Sequence, residues 1–128
     1  MAIGIVQLGS PRKTNEGLRV GTVRRPPRGV PKSQYARRDF YDVWLPNLSP
    51  SPELMKEGKS AQDQKSWALF RRKFRAEMGR PEASRVLELL AALSHQTQLS
   101  VGCYCEDEKR CHRSILRELL KECGADLI

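Results

Sequence analysis

Cys103, Cys105, Cys111 and His112 fall within ten positions of the stretch "GCYCEDEKRCHRSIL", in a chain that has only four cysteines and two histidines. A thiolate is both a nucleophile and a soft metal ligand, and an imidazole can serve as base or ligand. The cluster therefore admits a reactive thiol, a redox pair, a metal site or part of an anion site. The spacing speaks against zinc, whose structural sites use two knuckles separated by a longer loop. Adjacent Cys111 and His112 should point in different directions from a helix start, so neither a metal nor another cofactor is expected. Cys103 and Cys105, two apart, would share one face of a strand. A disulfide from Cys111 to Cys103 or Cys105 is sterically possible across the turn and would act as a redox switch.

A ligand-contacting thiol has more physical support. Cys111 belongs to the first turn of an expected helix, where the dipole and free amides lower a thiol pKa and can hold an anion. Arg110, His112 and Arg113 add positive charge beside it, whereas the preceding "EDEK" turn is acidic. A phosphatase-like loop does not follow the first two cysteines: six positions after Cys105 stands Cys111, and six after Cys103 stands Lys109. Simpler roles exist for each residue. Cys103 and Cys123 suit a core as small apolar side chains, and His112 could cap or pair locally.

Charge supplies a second candidate surface. The net charge is +8, and residues 1–40 hold nine Lys or Arg against only Glu16 and Asp39. Residues 41–128 are close to balance, with fourteen against thirteen. Most of the excess lies in loop-like sequence, "SPRKTNEG" and "RRPPRGVPKSQYARR", which favours phosphates, nucleic acid or other anions through steering. A solvated basic face is the plainer alternative. Tyr35 is the main aromatic among these basic residues, so base stacking has little support.

The elements that must position these groups can be read in outline. "AIGIVQL" (2–8), "LRVGTV" (18–23) and "QLSVGCYC" (98–105) are apolar runs bounded by turn residues and read as strands. "DFYDVWL" (39–45) reads as a more modest one, after a loop broken by Pro26, Pro27, Gly29 and Pro31. Ser51 and Pro52 open a first helix with Gly58 at its exit, and Ser60 with Asp63 opens a second that stops at Gly79. On that second helix Trp67, Phe70, Phe74 and Met78 form one apolar stripe, which is core rather than chemistry. Pro81 starts a third, with Val86, Leu87, Leu90 and Leu93 inward and His95 near its end. A fourth runs from about Arg110 to Cys123 with Ile115, Leu116, Leu119, Leu120 and Cys123 inward. "ADLI" is either an edge strand or a tail.

At 128 residues, 39% hydrophobic and 30% charged, the chain suits one soluble domain spanning 1–128. No apolar stretch approaches the roughly 18 residues of a membrane span. The opening residues lack the basic head of a secretory signal, and a reducing cytoplasm with free thiols is expected.

The segment "GCYCEDEKRCHRSILRELL" closely resembles the Cys-rich, Cys-His-Arg strand–helix element of the bacterial domain of unknown function 488, the YeaO-like family. The resemblance extends through "VRRPPRGVPKSQYARRDFYDVWLPNLSPSPEL" and "SWALFRRKFRAEM", and takes in about residues 3 to 122. Arg24 with Pro27, Arg28 and Gly29 matches the family's arginine before a Pro-Arg-Gly turn. Pro50, Ser51 and Leu54 resemble another family segment. Trp67 and Phe70 match its aromatic helix, and Cys111, His112 and Arg113 its Cys-His-Arg element. The resemblance implies a compact α/β domain and names no reaction.

The expected fold is therefore an α/β domain, a small mostly parallel sheet flanked by helices in a Rossmann-like sandwich. In such sheets ligands bind beyond the carboxyl ends of the strands. The leading expectation is an anion site there, on an enzyme acting on a phosphate-containing substrate or on a binding protein. Arg24, Arg28, Lys32 and Arg113 would bind the ligand, with Cys111 and His112 as the catalytic pair. The alternatives are a thiol redox or metal-sensing module using Cys103, Cys105 and Cys111, and a non-catalytic nucleic-acid adaptor.

Overall fold

The computed structural model describes residues 2–128. Four strands, β1 (Ile3–Gln7), β2 (Leu18–Gly21), β3 (Val43–Trp44) and β4 (Leu99–Cys103), form one sheet in the order β1-β4-β2-β3. Every pairing is parallel. Ile3 and Leu18 both face Leu99 across the sheet, Ile5 and Val20 face Val101, and Gln7 faces Cys103. All four strands thus end on one rim, near Gln7, Gly21, Trp44 and Cys103.

Four helices follow the caps read from sequence: α1 (Pro52–Ser60), α2 (Gln64–Met78), α3 (Pro81–Leu93) and α4 (His112–Glu122). The Ser51 hydroxyl accepts from the Leu54 amide and the Asp63 carboxylate from the Ser66 amide, which satisfies one orphan donor at each start. Gly79 closes α2. No helix is long and apolar enough to cross a membrane among the described residues.

The side chains of Ile3, Val20, Leu99 and Val101 project from one face of the sheet. They join Leu54, Phe70, Phe74, Met78, Leu87, Leu90, Ile115, Leu116 and Leu120 of the helices in a single apolar core. The other face carries Arg19, Gly21 and Gly102, and loops cover it. A Cβ on Gly21 would collide with the Tyr41 ring, and one on Gly102 with Leu8, so both glycines let a covering side chain lie against the backbone. Arg19 is buried and ion-paired with Glu16 at 2.9 Å, and its guanidinium also donates to the Ser10 and Asp39 carbonyls.

Several sequence expectations are corrected. The third strand covers only Val43–Trp44, because the residues before it turn: Asp39 has φ 64°, and Asp42 accepts from the Arg19 amide and from Arg12. α1 runs past Gly58 to Ser60. Cys123 is exposed rather than inward, since α4 ends at Glu122 and the helical period stops there. Leu93, likewise last in its helix, is exposed. The "ADLI" end takes the strand option: Leu127 bridges Ile3 in parallel, next to β1.

Candidate thiol centre

Cys111 is the N-cap residue of α4, in extended conformation (φ −124°, ψ 151°), and His112 is the first helical residue. That change of backbone conformation brings the two side chains together instead of splaying them by a helical step. Cys111 Sγ lies 3.6 Å from His112 Nδ1. This corrects the expectation that adjacency would separate them. β4 brings Cys103 to the same place, and one ligand atom each from Cys103, Cys111 and His112 lie within 4.8 Å of one another. All three residues are buried. Cys105, two residues on, is exposed, with its sulfur 3.9 Å from that of Cys103.

The imidazole is fixed at its far edge. His112 Nε2 lies 2.7 Å from the Thr22 carbonyl oxygen, which can only accept, so Nε2 carries a proton. The Thr22 hydroxyl donates to the Gly102 carbonyl at 2.9 Å and stands 3.3 Å from the same nitrogen. Phe74 holds the ring edge-on at a centroid distance of 5.5 Å. In the neutral ring Nδ1 is then the unprotonated nitrogen, turned to Cys111.

Arg113 completes the setting. Its Nε lies 3.4 Å from Cys111 Sγ, while Nη1 donates to the Val6 carbonyl at 2.7 Å and Nη2 to the Cys105 carbonyl at 2.6 Å. Hydrogen bonds from the Cys103 and Cys105 thiols draw the Cys111 thiol well below its ordinary pKa, against burial and with help from His112. The cost falls on the donors. Hydrogen bonding to Cys105 and Cys111, together with burial, pushes the Cys103 thiol up. Cys105 is pulled down by Cys103, but the bond to Cys111 and burial leave it raised. Among the three thiols, Cys111 is the one drawn toward ionisation, while Cys103 and Cys105 are both raised.

Residues 3–124 match the family model described as the active DUF488-N3 subclade. The chain belongs to the DUF488 family. No curated protein and no solved structure matches it. The YeaO-like resemblance read from the Cys-His-Arg segment falls in this same family.

In this DUF488 domain the other sequence-predicted residues divide into two groups. Arg24 is spent on backbone: its guanidinium donates to the Ser49 and Pro50 carbonyls at 3.0–3.2 Å, tying the end of β2 to the entry of α1. Arg28 and Lys32 are exposed, and neither forms an ion pair among the described residues. No hydrogen bond joins Arg24, Arg28 or Lys32 to the thiol cluster. The basic loop instead reaches the cluster through its apolar side chains. Val23 and Tyr41, with half-buried Tyr35 and Phe40, pack with Cys103 and Cys111. Half-buried Tyr104 packs there too, and its hydroxyl donates to the Arg25 carbonyl at 2.8 Å.

Three features were missed from sequence. Thr22 lies in a run that reads as an apolar strand, yet it sets the imidazole. The Tyr41 hydroxyl is buried without a hydrogen-bond partner beside this cluster, a cost of about 1–3 kcal/mol that a bound polar group would relieve. Arg117 stands six positions after Cys111, the cysteine–arginine spacing of a phosphatase-like loop. The intervening residues are helical, though, and Arg117 turns away to Glu108 at 2.8 Å, so they form no loop of amides around the sulfur. The same pair ties down part of the acidic turn.

Proposed function

We propose that this DUF488 domain is a thiol-dependent group-transfer enzyme with Cys111 as nucleophile and His112 as its proton acceptor. The carrying observation is the Cys111 Sγ–His112 Nδ1 distance of 3.6 Å with Nε2 held by the Thr22 carbonyl. Activation of a thiol by an oriented imidazole needs those two contacts. His112 takes the Cys111 proton. The sulfur then forms a bond to an electrophilic centre of the substrate as the bond to the leaving group breaks, and His112 returns the proton to that group. Water then cleaves the sulfur–substrate bond, or a second acceptor takes the transferred group. The description of the matched subclade as active agrees with a working centre.

The substrate proposed is anionic, a phosphate-bearing molecule or nucleic acid, gathered by the exposed cations of the loop above the cluster, Arg28 and Lys32 among them. The phosphate serves there as a handle. It is not the electrophile, because the sulfur lacks a surrounding loop of amides. Arg113, committed to two carbonyls and to Cys111, positions the thiolate.

Paired alkylation with anionic iodoacetate and neutral iodoacetamide tests this reading. Reduced protein should be modified at Cys111 by both, with iodoacetate favoured more than at Cys123. In the R28A/K32A variant that excess preference should disappear while iodoacetamide labelling persists. Cys111 inert to both reagents in folded protein would overturn the proposal, and an unchanged preference in the variant would remove the anionic handle from it.

A further inference from the structure

We infer that Cys103, Cys111 and His112 Nδ1, closed from the solvent side by Cys105, form a binding site for one soft divalent cation of the zinc type. Tetrahedral zinc with bonds of about 2.3 Å to sulfur and about 2.0–2.1 Å to nitrogen separates two sulfurs by about 3.8 Å, and a sulfur from a nitrogen by about 3.6 Å. The Cys111 Sγ–His112 Nδ1 separation is 3.6 Å and the Cys103 Sγ–Cys105 Sγ separation is 3.9 Å. The three buried ligand atoms already lie within 4.8 Å of one another. Cys105, being exposed, can turn its sulfur without disturbing the core.

The surroundings suit a metal as well as the ligands do. A zinc-binding imidazole characteristically donates its other N–H to a carbonyl or carboxylate, which fixes its tautomer and orientation. His112 Nε2 does so to Thr22. Arg113 Nε, 3.4 Å from Cys111 Sγ, can donate to a metal-bound thiolate and offset its negative charge. The ligand set is soft, thiolate with imidazole, which selects zinc over magnesium or calcium.

The ion would occupy the sulfur and the nitrogen that act as nucleophile and proton acceptor, so metal binding and thiol chemistry exclude each other. That exclusion rests on the proposed function, whereas the metal site itself does not. Zinc is then an inhibitor or a store at this centre, and removing it exposes the thiolate.

Cobalt(II) added to reduced, metal-free protein provides the test, because tetrahedral thiolate coordination gives visible d–d bands and a near-ultraviolet charge-transfer band. One cobalt per chain should bind with both features, be displaced by zinc, and block alkylation of Cys111. The C103S and H112N variants should lose the tetrahedral spectrum, while C123S keeps it. C105S, altered at an exposed position where folding is not at risk, should retain binding with a weaker charge-transfer band. No charge-transfer band in wild type, or a spectrum unchanged in C103S and H112N variants that still fold by circular dichroism, overturns the metal site. Reactive Cys111 without cobalt binding would defeat this inference alone. Cobalt binding with Cys111 inert in the metal-free protein would defeat the thiol enzyme and leave the metal site.

Discussion

The core between sheet and helices and the cluster at the strand ends are both shut away from water, but different interactions hold them. In the first, Phe74, Leu48, Val101, Leu116 and Leu120 are at most 1% exposed and meet one another through apolar contact alone. The second packs Leu8, Val23 and Tyr41 around two thiols, and borders an imidazole and a guanidinium satisfied by strand-end carbonyls. Apolar burial is non-directional and tolerates small shifts. The rim depends on directed contacts to Val6, Thr22, Gly102 and Cys105, where one lost partner strands another. Stability resides mainly on the helix side, and chemistry resides where strands end and α4 begins.

Separating the two regions by mutation sharpens that contrast. The largest effect is expected from Leu120→Ala, at the far end of α4 from Cys111. Truncating a leucine that is 1% exposed should cost about 2–5 kcal/mol, measured by urea unfolding. Cys111 in the folded fraction should react as in wild type. If its reactivity fell in step with stability, the two regions would be one unit.

A smaller effect is expected where the loops cover the opposite face of the sheet. Asp42 accepts from Arg12 at 2.9 and 3.1 Å and from the Arg19 amide at 2.8 Å, with Asp39 and Glu16 close to the same arginines. Partial burial pushes the Asp42 carboxyl up, but these bonds outweigh it and hold the pKa below its usual value. A depressed carboxylate stabilises the fold above its unfolded pKa, and that stability is lost as pH falls through the folded value. Asp42→Asn should therefore cost about 1 kcal/mol near neutral pH, with the difference from wild type shrinking in acid. Urea unfolding at a series of pH values reads this directly, and a difference independent of pH would contradict it.

The contrast also explains what was legible in the sequence. Apolar periodicity and caps are local signals, so β1, β2, β4, α2 and the entries of α1 and α3 follow from them. The rim depends on what carbonyls at strand ends require, and no spacing rule reports that. Arg24 and Arg113 look like ligand-binding cations in sequence, but each spends donors on two carbonyls. Arg19 sits in an apolar run and is nevertheless buried, because Glu16 three positions earlier pairs with it. Cys111 and His112 meet because the first is extended and the second helical, a boundary that composition does not place to the residue. The basic loop meets the cysteines through Tyr35, Phe40 and Tyr41 rather than through Arg24 and Arg28.

The central claim is that His112 activates Cys111. Its most direct test is the alkylation rate at each cysteine in reduced, chelator-treated protein at neutral pH, resolved by mass spectrometry, for wild type and His112→Asn. Cys111 should label before Cys105 and Cys123 although it is buried and they are exposed, and His112→Asn should slow Cys111 about tenfold or more. Cys105 and Cys123 should label at unchanged rates in that variant. Labelling of Cys111 only on unfolding, or at the same rate with and without His112, would contradict the account.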